Sequence, residues 1–301
     1  MSQITEKVLK EEIDKLFIPN NDKIHKINMT TKKTKLILSG GGMKGIAHLG
    51  AIKALEELEM MKYIDTYCGT SVGAMISALL CVGYTADELF SFISMMDMSK
   101  VKCLSFNNLL KLFGLDDGKK MEIVFEKMFK AKGIPANITF KQLFDRTKKI
   151  LIITVSCLND KKVYYHSYQT VPDMQVLTAV RMSISIPIYF APVKYQGKMY
   201  VDGGCMDNYP IQLFSDCLDE VVGLCLADIK DNVNDITNIE DLLLHIIQCL
   251  FEGVTHYSLK GYEKYSIKIS LDKVSVVDFH MDNETKQKLF DIGYKTVMNN
   301  V

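Results

Sequence analysis

The sequence has no excess of charge of either sign: its 301 residues carry 36 Lys plus Arg against 36 Asp plus Glu. A nucleic-acid partner is therefore not expected, because such proteins usually carry a basic surplus. Zero net charge also gives no global pull toward an anionic membrane, so contact with lipid has to come from a local patch. Metal-binding spacing is missing as well. The eight cysteines, at 68, 81, 103, 157, 205, 217, 225 and 249, include no C-x-x-C pair, which argues against a zinc site. Most have apolar neighbours, as in Leu224-Cys225-Leu226, the setting of reduced, buried thiols. Asp116-Asp117-Gly118 lacks the spaced ligands of a calcium loop. Long apolar runs are absent too. Met1 to Lys15 is rich in Lys and Glu without an apolar signal core, and no stretch reaches the roughly 20 apolar residues of a membrane span. The expectation is an intracellular protein, cytosolic or peripherally attached to a membrane, with no signal peptide or transmembrane helix.

What is present is an α/β pattern. Residues 1–30 read as an N-terminal helical appendage, with Ile4, Val8, Leu9, Ile13, Leu16 and Phe17 at helical spacing before Pro19-Asn20-Asn21-Asp22 breaks it. It either packs on the domain or serves as a partner- or membrane-surface helix. Leu36-Ile37-Leu38 is a buried strand running into glycines. Residues 44–60 carry Ile46, Leu49, Ile52, Leu55 and Leu58 at spacings of three, which predicts a helix. A second strand over Tyr63 to Cys68 and a second helix over Val72 to Cys81 follow. Strand–turn–helix repeated twice implies a parallel sheet. Residues 86–148 read as mostly helical. Strands are expected at 151–157, 195–201, 221–227 and 266–271, an acidic loop at 228–240, and helices at 242–259 and 284–299. The organisation expected is an appendage (1–30), a catalytic domain (31–230) and a helical extension (231–301) packed on the same domain.

Three motifs carry chemistry. Ser39-Gly40-Gly41-Gly42-Met43-Lys44-Gly45 sits between a strand and a helix, where bare amides and the helix dipole stabilise an anion, either a phosphate or a transition-state oxyanion. Gly40, Gly42 and Gly45 also satisfy the G-x-G-x-x-G dinucleotide pattern, which keeps a nucleotide-binding oxidoreductase as an alternative. Against it, Asp65 precedes the second strand, whereas a ribose-binding acid lies at that strand's end. A P-loop fits less well, since Ile46-Ala47 follows Gly45 in place of Lys-Ser/Thr. The second motif, Gly69-Thr70-Ser71-Val72-Gly73, is a G-x-S-x-G at a strand-to-helix junction, where a sharp turn lifts the hydroxyl clear. The bland reading of Ser71 is a cap on the helix it precedes. The third, Val201-Asp202-Gly203-Gly204, delivers an acid from an apolar strand into a glycine turn, a common enough turn on its own.

A serine nucleophile needs a base. Of the histidines after Asp202, His245 and His256 share one helix face that reads as packed or solvated, and His280 lies in a loop of no special character. His48 is on the first helix near the glycines, where packing is its expected role.

Taken together, Gly40 to Gly45, Gly69 to Gly73 and Asp202-Gly203-Gly204 resemble the patatin-like phospholipase family. Ala47-His48-Leu49-Gly50-Ala51-Ile52 and Arg181 to Val193 strengthen the likeness, which spans about residues 35–227. The resemblance implies a three-layer α/β/α fold with a mainly parallel central sheet and helical additions. It implies Ser71 as nucleophile, Asp202 as its proton acceptor, and an oxyanion hole at Gly41 and Gly42 with help from Gly40. Lys44, Gly45, Gly69, Gly73, Gly203 and Gly204 support the motifs. Neither a histidine, a metal nor a cofactor is required. Lys44 stands where Arg is common in the family, and Ser39 where an acid is common. Burial in an apolar site is needed to raise Asp202 above the ordinary carboxylate pKa and make it a useful base. The substrates implied are phospholipids, lysophospholipids or neutral acylglycerols, with a lipid-aggregate surface as partner. A catalytically silent lipid-binding module is the remaining alternative, although Ser71, Asp202 and the glycines are all intact. Leu89 to Met98 is apolar and Met-rich, suited to a lid or acyl groove, or to an ordinary core helix.

Overall fold

Strand β1 (Lys35–Leu38) divides its side chains between two cores. Leu36 and Leu38 enter a large cluster, while Ile37 enters a smaller one with Tyr209, Ile211 and Phe214. Strand β9 (Val221–Asp228) divides in the same way, Val222, Leu224 and Leu226 on one face and Val221 and Cys225 on the other. With a side-chain period of two, apolar residues in both registers mean a sheet covered on both faces. That is a three-layer α/β/α arrangement around a mainly parallel sheet. The computed structural model describes residues 31–96, 104–228, 236, 238–271 and 281–301. The expectations for residues 1–30, most of the acidic loop, Asp97, Met98 and His280 lie outside them.

The remaining strands are β2 (Thr66–Thr70), β3 (Gly114–Asp116), β4 (Ile150–Cys157), β5 (Lys162–His166), β6 (Ile188–Phe190), β7 (Val193–Tyr195), β8 (Lys198–Asp202) and β10 (Ser266–Leu271). The main sheet runs β10-β9-β1-β2-β4-β8-β7, with β5 also paired to β4, while β3 and β6 form a separate two-stranded sheet. The pairs β10–β9, β9–β1, β1–β2 and β2–β4 are parallel; β4–β5, β4–β8 and β8–β7 are antiparallel. Strand β4 is longer than β2 and is shared: Thr154 pairs with Thr70 of β2, and the next residue, Val155, pairs with Asp202 of β8. That register brings the C-terminal ends of β2 and β8 together.

The described residues form nine α-helices: α1 (Ile46–Glu57), α2 (Val72–Cys81), α3 (Ala86–Met95), α4 (Phe106–Leu112), α5 (Lys119–Ala131), α6 (Phe140–Thr147), α7 (Val176–Ser183), α8 (Ile239–Leu259) and α9 (Asn283–Asn300). Helix α3 begins at a Thr85–Glu88 capping box. Helices α1 and α9 cross so closely that a Cβ on Gly50 would stand 1.8 Å from the Phe290 carbonyl, and one on Gly293 1.9 Å from that of Ala47. Among the described residues, no helix is long and apolar enough to cross a membrane.

Some elements differ from the sequence expectation. The strand expected over 195–201 is a hairpin, β7–β8, turning at Gln196 (φ 46°) and Gly197 (φ 79°), the paired positive φ of a type I′ turn. Strand β2 starts at Thr66 because Met60–Tyr63 form a 3-10 turn first. The helical stretch 86–148 contains β3, and β5 and β6 were not expected. Strands of three residues, such as β3 and β6, are too short to show a period.

Candidate active site

Helix α2 starts directly after β2, and Ser71 makes the corner with φ 54° and ψ −123°, a backbone conformation a non-glycine residue adopts only under constraint. Its side chain makes no capping bond to α2, so the helix-cap reading does not describe it. The flanking glycines permit the corner. A Cβ on Gly69 would lie 2.3 Å from the Gly73 carbonyl carbon, and one on Gly73 2.4 Å from the Leu38 carbonyl oxygen. Ser183 supplies a further constraint: its hydroxyl accepts the Ser71 N–H at 2.9 Å and donates to the Thr154 carbonyl at 2.7 Å.

Asp202, at the end of β8, is fully buried. Its N–H donates to the Ser185 carbonyl at 2.9 Å, and its Oδ1 accepts from Gly204 N–H at 2.8 Å. Oδ2 carries no fully formed hydrogen bond, yet the Ser71 hydroxyl lies near enough to favour the ionised carboxylate. Burial outweighs both contacts and pushes the Asp202 pKa from the ordinary 3.8 up to about 7. Gly203 lets the turn lie on β4, since a Cβ there would be 2.4 Å from the Thr154 carbonyl.

The glycine loop stands over this pair. Gly42 has φ 55° and begins a short 3-10 turn, Gly42–Gly45, that leads into α1. Among the described residues, no acceptor takes the N–H of Gly41 or Gly42. Gly40 departs from the expectation of an oxyanion donor, because its N–H is committed to the Asn208 carbonyl at 3.0 Å. Its contribution is room: a Cβ on Gly40 would meet Asn208 Oδ1 at 2.1 Å and Ser71 Cβ at 3.3 Å. Gly45 lets the starts of α1 and α2 touch, its Cβ position being 2.3 Å from a Val72 methyl. Lys44 is buried and paired with Asp228 at the end of β9, and Ser39 Oγ accepts the Leu226 N–H at 2.9 Å. Both tie the loop to β9.

No described histidine hydrogen-bonds to Ser71 or Asp202. His48 is buried, its Nε2 lies 3.0 Å from the Ser39 carbonyl, and burial lowers its pKa to about 4. His245 Nδ1 meets the Asp241 carbonyl of its own helix at 2.7 Å, and His256 is exposed on the same helix. Asp65 sits before β2, at the opposite end of the strand from Ser71. It is far from the loop that a dinucleotide would need it to serve.

Beside Ser71 opens a cavity of about 960 Å³, mouth included. Among the described residues, Ser71 contributes the one polar side chain of its lining; the walls come from such residues as Met75 and Leu79 of α2, Phe92 of α3, Met128 of α5 and Phe190 of β6. Leu89, Phe92, Ile93 and Met96 from the Met-rich stretch line it, so that stretch is both a helix and a cavity wall. Sequence reading missed Ser183, although it lies inside the Arg181 to Val193 stretch. Asn208 was also missed, four residues past Gly204, with no local pattern to mark it.

A model of the patatin-like phospholipase family matches residues 36–215. The chain is 33% identical to the uncharacterized protein R571 of Acanthamoeba polyphaga mimivirus over 90% of this chain and 96% of that one. It is 37% identical to a protein of Invertebrate iridescent virus 6 named as the probable lipid hydrolase 463L, over 59% of this chain and 62% of that one. In fold it is similar to VipD from Legionella pneumophila, with a TM-score of 0.59, 18% identity, and coverage of 90% of this chain and 67% of that one. With a family model matched over more than half its length and a relative aligned almost end to end, this chain belongs to the patatin-like phospholipase family.

Proposed function

We propose that this protein hydrolyses carboxylic esters of long-chain lipids through an acyl-enzyme on Ser71. The observation that carries the reading is the cavity: among the described residues its one polar side chain is the strained, buried serine, and every other side chain lining it is apolar. Such a site suits an acyl chain bound with its carbonyl at Ser71 and offers nothing to a sugar or a phosphate. In the first step the Ser71 hydroxyl attacks the ester carbonyl and Asp202 takes its proton. The oxygen of the carbonyl becomes an oxyanion, for which the Gly41 and Gly42 amides are the donors, worth roughly 2.7–4 kcal/mol each. The alcohol leaves with the proton from Asp202. Water then releases the fatty acid and restores the serine.

The substrate class is a phospholipid, lysophospholipid or neutral acylglycerol, presented at a lipid surface. Exposed apolar side chains support that presentation. Met95 (82% exposed) ends α3, which forms part of the cavity wall. Leu110 (73%) and Phe113 (61%) lie at α4, which packs on β3, the partner of β6.

Labelling with a fluorophosphonate probe tests the assignment. Wild-type protein is expected to label stoichiometrically and Ser71→Ala not at all. Asp202→Asn is expected to lose about 10²–10⁴-fold in ester turnover. Undiminished labelling of Ser71→Ala sinks the reading. Failure of the wild type to label would favour a silent lipid-binding module.

A further inference from the structure

Asn208 is 5% exposed, and its Oδ1 faces no hydrogen-bond donor among the described residues. The orientation of its amide is fixed by Thr255. The Thr255 hydroxyl donates to the Phe251 carbonyl at 2.7 Å, so it accepts from Asn208 Nδ2, also at 2.7 Å. The carbonyl end of the amide is thereby turned the other way, between the two glycine turns of the site. A Cβ on Gly40 would stand 2.1 Å from Asn208 Oδ1 and 3.3 Å from Ser71 Cβ; a Cβ on Gly204 would stand 2.7 Å from the same oxygen and 3.1 Å from Asp202 Oδ1. A buried acceptor left unpaired costs about 1–3 kcal/mol. Here two lie in one site, Asn208 Oδ1 and Asp202 Oδ2.

The missing Cβ of Gly204 puts Asn208 Oδ1 and the Asp202 carboxylate on either side of one position, and two acceptors so placed suit a molecule with two O–H donors. We propose that Asn208 positions the water that hydrolyses the acyl-enzyme, an inference that rests on the Ser71 esterase reading. In the acyl-enzyme, Ser71 Oγ is esterified and no longer has a proton for Asp202. Water donates one hydrogen to Asn208 Oδ1 and the other to Asp202 Oδ2, which turns an oxygen lone pair toward the acyl carbon. The water oxygen bonds to that carbon as Asp202 takes the proton. The tetrahedral intermediate then collapses with cleavage of the C–Oγ bond, Asp202 returns the proton to Ser71 Oγ, and the carboxylic acid leaves. Acylation has no part for Asn208, because the attacking oxygen at that stage belongs to Ser71.

Stopped-flow turnover of p-nitrophenyl octanoate by Asn208→Ala tests this. The expected result is a first turnover of nitrophenolate at near wild-type rate, followed by a steady state slower by about a hundredfold. KM is expected to fall with kcat, and an octanoyl adduct on Ser71 should accumulate in intact-protein mass spectra. Hydroxylamine, which attacks the adduct without needing a held water, should restore turnover. Thr255→Val, which unmoors the amide without removing it, should give the same pattern more weakly, and it decides the matter if Asn208→Ala does not fold. Equal loss of the first turnover and the steady state, or a slow variant with no adduct, overturns the proposal. A wild-type enzyme with neither a nitrophenolate burst nor fluorophosphonate labelling overturns instead the reading beneath it.

Discussion

Ser183 holds Ser71 in place, its hydroxyl accepting the Ser71 N–H at 2.9 Å while donating to the Thr154 carbonyl at 2.7 Å. Two residues on, the Ser185 carbonyl accepts the Asp202 N–H at 2.9 Å. One short segment at the end of α7 thus fixes both proposed reacting residues relative to β4. Ser183→Ala leaves the Ser71 amide buried without its acceptor. It is expected to cost roughly 1–3 kcal/mol in urea unfolding and about tenfold in kcat, with KM nearly unchanged, since what is lost is orientation of the nucleophile. Fluorophosphonate should still label Ser71 in this variant, more slowly.

The corner at Ser71 stores strain that glycine would not feel. A positive-φ conformation of this kind costs a non-glycine residue about 1–3 kcal/mol, whereas glycine's greater freedom in the unfolded chain costs about 0.5–1 kcal/mol. The first is the larger. Ser71→Gly is therefore expected to melt above Ser71→Ala, with both inactive. A lower melting temperature for the glycine variant would mean that the corner is not strained.

The sequence showed most of the sheet and little of how the site closes. Leu36-Ile37-Leu38 and Gly69 to Gly73 were legible because a buried strand and a strand-to-helix corner each need a local residue pattern. The meeting of Ser71 and Asp202 was implied by the family resemblance and by no local pattern, because it depends on β4 pairing Thr154 with Thr70 and Val155 with Asp202. The β7–β8 hairpin was missed because Gln196-Gly197 is a weaker turn signal than Asn-Gly. The family resemblance gave Gly40 a helping donor role, yet its amide goes to the Asn208 carbonyl, a partner 168 positions away in the chain whose contact appears only on folding.

Apart from Ser71, the described lining of the cavity is apolar, which predicts how rate depends on chain length. Each buried CH₂ contributes about 0.8 kcal/mol, or roughly fourfold in kcat/KM. With p-nitrophenyl esters, kcat/KM should climb at about that slope from butyrate upward and level off once the cavity is full. Met128→Trp, placed on the α5 wall, should move the plateau to shorter chains and leave butyrate hydrolysis within a few-fold of wild type. A flat profile would mean that the cavity does not hold the acyl chain.

As the proposed base, Asp202 is expected to set the pH dependence of both activity and stability, in opposite directions. Burial raises its pKa to about 7, so the carboxylate proposed as base forms as pH rises through 7. Ester turnover at low substrate should accordingly rise from pH 5 to 8 along a single ionisation near 7. In the unfolded chain the same group titrates near 3.8. Between those values the folded state binds the proton and the unfolded state does not. Folding stability from this group is therefore full below about pH 4 and is lost as pH climbs toward 7. Asp202→Asn keeps an acceptor for the Gly204 N–H but cannot ionise. It should unfold at higher urea than wild type at pH 8, by roughly 1–3 kcal/mol, and the gap should narrow toward pH 5. Equal stability of the two proteins at both pH values would show that Asp202 is not held in its neutral form by burial, and with it would go the account of how a carboxylate serves as base to Ser71.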